Sequence, residues 1–294
     1  MGADCPGRLV WVDTDVALGA ARGDVDDGFA LAAVFCGTLA GRVRLAGIST
    51  VFGNTTAATA ESCARRIAET AGVPVEVVRG AEGRGQETAA AERIARLPEG
   101  AEILALGPLT NLAAAIAKDP GLPPRVSLRL VGGNVSSRGF LAPFWPFEFN
   151  LSKDPESTRR VLAAPWREAV LYPLDVVAAM RADVERLARL AGLSGLGTFL
   201  ARECSRWLKR ARWRHAGRGF PVWDLPAALE AVRTISSPKA EGSFRLRLSP
   251  LSGNTARLQW VTGVVPNTAW AGFESLLLAN PRPGPLSASR QEVH

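Results

Sequence analysis

Residues 9–15, Leu-Val-Trp-Val-Asp-Thr-Asp, and residues 24–31, Asp-Val-Asp-Asp-Gly-Phe-Ala-Leu, decide how this chain is read. The first is an apolar run of strand length that ends on two carboxylates. The second delivers three more at the start of a helix-like apolar run. Asp13, Asp15, Asp24, Asp26 and Asp27 crowd five potential anions into fifteen residues of a chain whose formal net charge is +7. Packed acids repel one another, so the cluster calls for a cation, an arginine or a catalytic use. A hard, oxygen-seeking ion such as Ca²⁺ or Mg²⁺ is the simplest neutraliser.

Outward from that stretch, apolar runs alternate with helical patterns, as expected of a parallel α/β sheet. The run 9–12 leads through the acidic loop to a helix over 28–36. The run 43–51 leads through Phe52-Gly53-Asn54 to an Ala-rich helix over 57–71. The segment 75–78 opens onto a polar, glycine-bearing loop, and 103–106 meets Gly107-Pro108-Leu109-Thr110-Asn111 before a helix over 112–118. Further strands are expected at 126–131, ending on Gly132-Gly133-Asn134, and at 169–172, before Asp175. The last third reads as mainly helical and then mixed. The expected fold is a single-domain α/β protein with a mostly parallel open sheet flanked by helices, a Rossmann-type core over 1–280. The Pro- and Ser-rich 281–294 reads as a disordered tail. In such sheets ligands bind at the carboxyl ends of the strands, where the polar turns recur.

Composition narrows the function classes. The 294 residues with 47% hydrophobic content are ample for a substantial core. Four scattered cysteines without metal-ligand spacing read as buried or free thiols in a reducing compartment. With His215 and His294 as the two histidines, a multi-histidine metal site is not expected. No signal peptide and no membrane-spanning run are visible, so the expected location is cytoplasmic. Nucleic acid is not the expected partner, because the arginines are dispersed. One basic stretch, Arg202 to Arg218 with Trp207 and Trp213 interleaved, reads either as a solvated helical face over buried tryptophans or as a site for a phosphate-bearing ligand.

Ordered motifs along residues 8–235 resemble the inosine–uridine nucleoside hydrolases. Asp13-Thr14-Asp15 with Asp26-Asp27 is similar to that family's acidic signature, and Ile48–Asn54 to its second strand ending in Gly-Asn. Leu106–Ala113 is similar to its Gly-x-Leu-Thr-Asn-Leu-Ala turn. Val131-Gly132-Gly133, Glu148-Phe149-Asn150 and Asp154-Pro155-Glu156 follow in order, and Asp224 fits its late metal-binding aspartate. The resemblance implies hydrolysis of a ribonucleoside N-glycosidic bond around one Ca²⁺. The implied metal ligands are Asp15, Asp27, Asp224 and a backbone carbonyl near Leu130, and Asp15 doubles as general base for the attacking water. Asp13 would orient the ligating carboxylates. Asp26 and Asn150 would grip the ribose 2′-hydroxyl side, while Asn54, counted with Asp15 as catalytic, and Glu148 would complete the sugar pocket. A homodimer or homotetramer is the implied assembly.

Three departures set this chain apart from the family's pattern. Ten residues, Val16 to Val25, separate the second and later aspartates where the family carries a short Pro-Gly spacer, and Asp24 within them reads as a loop acid. Trp223 stands where many members place a histidine before the late aspartate. It is suited to stacking on a nucleobase, which leaves His215 as the one substitute proton donor for the leaving base. Ala142 stands where an asparagine commonly contacts the sugar's 5′ end, and Phe144 and Trp145 beside it could wall the substrate or pack in the core. An altered or phosphorylated 5′ substituent is therefore open. The Asp-x-Asp strand end also suits a haloacid-dehalogenase-like, Mg²⁺-dependent phosphatase. A non-catalytic nucleoside- or sugar-binding member is the third alternative.

Overall fold

The computed structural model describes residues 7–135, 149–215, 219–249 and 252–280, with 211–215, 244–249 and 252–256 described by backbone alone. Its strands are β1 (Arg8–Thr14), β2 (Val43–Thr50), β3 (Val77–Arg79), β4 (Glu102–Ala105), β5 (Ser127–Val131), β6 (Glu168–Tyr172), β7 (Arg181–Ala182), β8 (Phe220–Pro221), β9 (Lys239–Ser249) and β10 (Ser252–Val261). The helices are α1 (Asp27–Leu39), α2 (Ala57–Ala71), α3 (Ala89–Ala95), α4 (Thr110–Lys118), α5 (Leu122–Arg125) and α6 (Phe149–Lys153). After them come α7 (Pro155–Ala163), α8 (Leu174–Val177), α9 (Val184–Ala191), α10 (Gly195–His215), α11 (Leu225–Ala231) and α12 (Pro266–Ala279).

Among the described residues, eight strands form one sheet in the order β3-β2-β1-β4-β5-β6-β10-β9, parallel except for the β9–β10 hairpin. This is the single α/β domain expected from the alternating pattern. β1 lies at the centre because Val10, Trp11 and Val12 leave no polar face to expose, and all three are buried. Helix α1 is buried over Asp27–Gly37 because it lies between the sheet and helices α11 and α12. By contrast α2 is amphipathic and locally well specified: Thr56 caps its first turn by accepting from the Thr59 N–H, and Gly72 ends it at φ 69°. Two hydrophobic clusters fill the layers on either side of the sheet.

Strands β2 and β3 run to one side of β1, and β4, β5 and β6 to the other. The chain direction of winding therefore reverses between β1 and β4, which opens a crevice at their carboxyl ends. The Leu106 N–H bonds the Asp13 carbonyl and the Val51 N–H bonds the Thr14 carbonyl, so three strand ends are locked at that point.

The structure changes several details of the sequence reading. The polar loop after β3 contains helix α3, capped by Thr88. The third strand begins two residues later than the expected 75–78. The last third contains a long antiparallel hairpin, β9–β10, that joins the sheet through Gln259 and Trp260 beside β6. The proposed tail 281–294 lies outside the described residues. Cys36, Cys63 and Cys204 are buried free thiols, as their spacing suggested.

Candidate active site

The crevice holds a cavity of about 470 Å³, open to solvent and lined by Asp15, Asp24, Asp26, Asp27, Asn54, Leu106, Phe149, Asn150, Leu174, Trp223 and Asp224. Six chain regions far apart in sequence thus meet at the carboxyl ends of the strands. The carboxylate oxygens of Asp26, Asp27 and Asp224 can come within 4.8 Å of one another, and all three residues are buried.

Local geometry explains why these acids point inward. Asp26 and Asp224 occupy the N-cap positions of α1 and α11, where an aspartate ordinarily accepts a backbone N–H of its own helix. Neither does so. Their side chains instead meet each other across the cavity. Asp154 and Asp183, at the N-caps of α7 and α9, behave conventionally and bond Ser157 N–H and Arg186 N–H. The chain therefore uses aspartate caps where it needs only a helix start, and withholds them at two helices that face the crevice.

Asp15 is held from the other side. Its Oδ2 accepts the Asn54 backbone N–H at 2.6 Å. That approach requires Gly53, since a Cβ there would stand 2.1 Å from Asp15 Oδ2. Asp27 accepts the Thr14 hydroxyl, whose oxygen in turn accepts the Val16 N–H at 3.1 Å. Asp13 sits behind the cavity and does not line it. Its Oδ1 accepts Ser49 Oγ and, at 2.8 Å, Asn111 Nδ2. Asn111 Nδ2 also bonds the Thr50 carbonyl at 3.0 Å, while its Oδ1 accepts the Ala81 N–H at 3.0 Å. One amide thus ties the loops after β2 and β3 to the end of β1.

The electrostatics of this arrangement are lopsided. Burial pushes the Asp15 carboxyl well above the usual range, and the neighbouring Asp27 adds to it. Burial and then Asp27 do the same to Asp26 and Asp224. Burial raises Asp13 to about 7 despite bonds from Ser49 and Asn111, and Asp27 to about 7 despite the bond from Thr14. Each acid makes its neighbours harder to ionise. A divalent oxygen-seeking cation would reverse that mutual penalty, and the converging carboxylate oxygens fit its preferred donors.

Placement of the sequence-derived residues is mixed. Asp15, Asp26, Asp27, Asn54, Asn150, Trp223 and Asp224 all line the cavity. The tightest acidic trio, however, includes Asp26 rather than Asp15. The Asn54 side chain does not reach freely into the site: its Oδ1 accepts the Asp24 N–H at 2.7 Å and its Nδ2 donates to the Asp24 carbonyl at 3.1 Å. Asn150 donates to the Leu106 carbonyl at 2.7 Å. Leu130 is buried with Leu128 in the apolar layer and its residue does not line the cavity. Glu148 and Trp145 lie outside the described residues, as does the side chain of His215 at the end of α10.

Other residues were not picked out by the sequence. Asp24, read as a loop acid, lines the cavity, as do Leu106 and Leu174. Thr14 and Asn111 lie inside recognised motifs, but their partners depend on strand register. Of the basic stretch, Arg202, Arg206, Lys209 and Arg210 are exposed on α10 with Trp207 buried beneath, while the side chains of Arg212, Trp213, Arg214 and Arg218 lie outside the described residues.

Comparison with known proteins agrees with this geometry. Residues 10–263 match the family described as inosine-uridine preferring nucleoside hydrolase. The chain is 32% identical to probable uridine nucleosidase 1 of Oryza sativa subsp. japonica over 150 residues, 39% of this chain and 46% of that protein. It is also 32% identical to the non-specific ribonucleoside hydrolase RihC of Shigella sonnei over 109 residues, 37% of this chain and 35% of that protein. The chain thus spans less than half the length of these curated relatives. In fold it is similar to a plant nucleoside hydrolase, with a TM-score of 0.78 at 18% identity over 93% of this chain and 100% of the other. A purine-preferring ribonucleoside hydrolase from Gardnerella vaginalis gives 0.77 at 18% identity over 92% and 99%. The acidic strand end, the Gly53-Asn54 turn and the late Asp224 lie within the matched region, and this chain belongs to the inosine–uridine preferring nucleoside hydrolase family.

Proposed function

We propose that this protein hydrolyses the N-glycosidic bond of a ribonucleoside to ribose and free base, with Ca²⁺ as its cofactor. The observation that carries this is the convergence of Asp26, Asp27 and Asp224 beside Asp15 at the sheet's switch point. Family membership sets aside the phosphatase alternative for Asp13-Thr14-Asp15.

Asp15, Asp27 and Asp224 would hold the ion; the carbonyl near Leu130 that the resemblance implies belongs to a residue outside the cavity lining. When bound, the ion lowers the pKa of a coordinated water and templates sugar hydroxyls. Asp15 then takes a proton from the attacking water as its oxygen bonds to C1′. The C1′–N bond breaks, its electron pair leaves with the base, and positive charge grows on the ribose. Buried carboxylates stabilise that charge more than they stabilise the neutral substrate, and this difference accelerates the reaction. Asp26 and Asn150 orient the 2′-hydroxyl side. Trp223 offers an aromatic face to the base, and Glu148 and Trp145 are assigned to the sugar pocket and the base on sequence grounds alone. Asp13 fixes the strand end behind Asp15. His215 is the candidate donor of a proton to the departing base. Among the described residues no helix is long and apolar enough to cross a membrane. A cytoplasmic homodimer or homotetramer completes the proposal.

The test is product analysis across purine, pyrimidine and 5′-phosphorylated nucleosides, with and without a chelator. Free base that appears only with added Ca²⁺ is the expected result. Binding of nucleoside without release of base, in the presence of metal, would replace the enzyme by a non-catalytic binding member.

A further inference from the structure

The ten-residue insertion between Asp15 and Asp26 has to be held still if the acids that follow it are to converge with Asp224. Val16, Leu18 and Val25 bury their side chains in the core, which still leaves the loop's backbone carbonyls to find donors. Three side chains from helices α2 and α10 are among the donors. Arg66 of α2 donates to the Leu18 carbonyl at 3.1 Å, Arg210 of α10 to the Ala20 carbonyl at 3.1 Å, and Trp207 Nε1 of α10 to the Gly23 carbonyl at 2.8 Å. The two arginine contacts involve flexible side chains near solvent. Trp207 is different, because it is 7% exposed and its ring is fixed.

That ring also meets the second acidic segment. Trp207 packs edge-on against Phe220 of β8 with centroids 5.1 Å apart, and Phe220 packs against Phe29 of α1 at 6.1 Å. Phe220 lies four residues before Asp224, and Phe29 two residues after Asp27. Gly23 itself cannot be replaced by a bulkier contact: at φ 98° its Cβ would stand 2.6 Å from Ala17 Cβ and 2.9 Å from the Asn54 carbonyl. The next residue, Asp24, is then clasped through both its N–H and its carbonyl by the Asn54 side chain.

We propose that Trp207 is a positioning residue: its indole N–H anchors the loop ahead of Asp26 and Asp27, while its ring braces the segment ahead of Asp224, so the two acidic limbs meet in register. The cation-binding part of this inference rests on the metal site proposed above; the bracing part does not.

Trp207→Phe separates the two roles, since it keeps an aromatic ring against Phe220 and removes the N–H. Amide hydrogen exchange of the metal-free protein should accelerate roughly 5- to 10-fold within 16–27, as for loss of one buried hydrogen bond. The urea midpoint should stay near wild type. Calcium affinity, read by calorimetry, should fall about 10-fold or more, as when a group orienting metal ligands is lost. Unchanged exchange over 16–27, or acceleration spread evenly over the whole chain with a lowered urea midpoint, overturns the proposal. If wild type binds no Ca²⁺, the metal assignment fails, and the exchange comparison alone then decides for or against Trp207 as the brace. If Trp207→Ala, which also removes the ring, adds fast exchange over 220–224, it supports the second contact; protection there equal to Trp207→Phe overturns it.

Discussion

Two sets of buried charges lie along the same sheet, and they are built on opposite plans. Toward the amino ends of the strands, Arg129 is 7% exposed. Its Nη1 donates to Tyr172 Oη at 2.8 Å and Glu230 Oε1 at 3.1 Å, and its Nε lies 2.9 Å from Glu102 Oε1. Arg8 pairs with Glu102 and Lys239 with Glu230. There each carboxylate has cationic partners: although burial opposes it, Lys239 and Arg129 keep the Glu230 carboxyl below its ordinary range. At the carboxyl ends, Asp15, Asp26, Asp27 and Asp224 are buried together and all end above the ordinary range, Asp27 at about 7, the hydrogen bond with Asp224 offsetting only part of the rise at Asp26. A paired set is a finished piece of structure. An all-acidic one is a request for a ligand.

The two plans predict opposite responses to mutation. Asp15→Asn should lower kcat by about 10²- to 10⁴-fold, the range for loss of a general base. The same change should leave the metal-free protein as stable as wild type or more so, because a repelled buried charge has been removed. Equal destabilisation and inactivation, compared by urea unfolding and base release, would merge the two sites into one structural class. Arg129→Met should do the reverse, costing about 3–5 kcal/mol by stranding buried Glu102 and Glu230, as broken buried pairs do. Its calcium affinity, measured on the folded fraction, should stay near wild type.

A smaller contrast lies in pH. Asp13 and Asp27 have folded-state values near 7 against an ordinary 3.8. For an acid raised in this way, the folded state binds protons more tightly than the unfolded state. The stabilisation is full below about 3.8 and is lost as pH rises toward 7. Metal-free protein should therefore lose stability across that interval, and saturating Ca²⁺ should flatten or invert the slope in thermal melts. The smallest expected effect is that of Thr14→Val, which removes the hydroxyl donor to Asp27 and the acceptor for the Val16 N–H. It should cost about 1–3 kcal/mol. It should also weaken calcium binding more at pH 6 than at pH 8, since the lost bond favoured ionised Asp27.

What the sequence disclosed follows the same division. The succession of strands and helices along the chain could be read because apolar runs and Gly- or Asn-bearing turns alternate locally, and the acids are conspicuous in a basic chain. Helix α3 was missed because Ala89-Ala90-Ala91 follows a polar loop with no apolar stripe long enough to stand out. Which acids form the tightest trio was not legible, because it depends on where α1 and α11 begin and on the refusal of Asp26 and Asp224 to cap them. The Arg129 network escaped notice for a related reason. Its members are spread from Arg8 to Lys239, and only strand register brings them together. Trp207 is buried beneath a basic face, one of the two readings the sequence left open, yet its partner Gly23 lies in a loop whose path no periodicity describes.

The crevice joins Asp26 and Asp27, near the start of the chain, to Asp224, near its end. Strands β2 to β8 are synthesised between them. Closing so long a loop is entropically slow and comes late in folding. A chain made only as far as β8 therefore cannot form the trio, and cation capture there would report that its two acidic limbs have met. During refolding, the calcium signal should trail the recovery of helical structure rather than lead it.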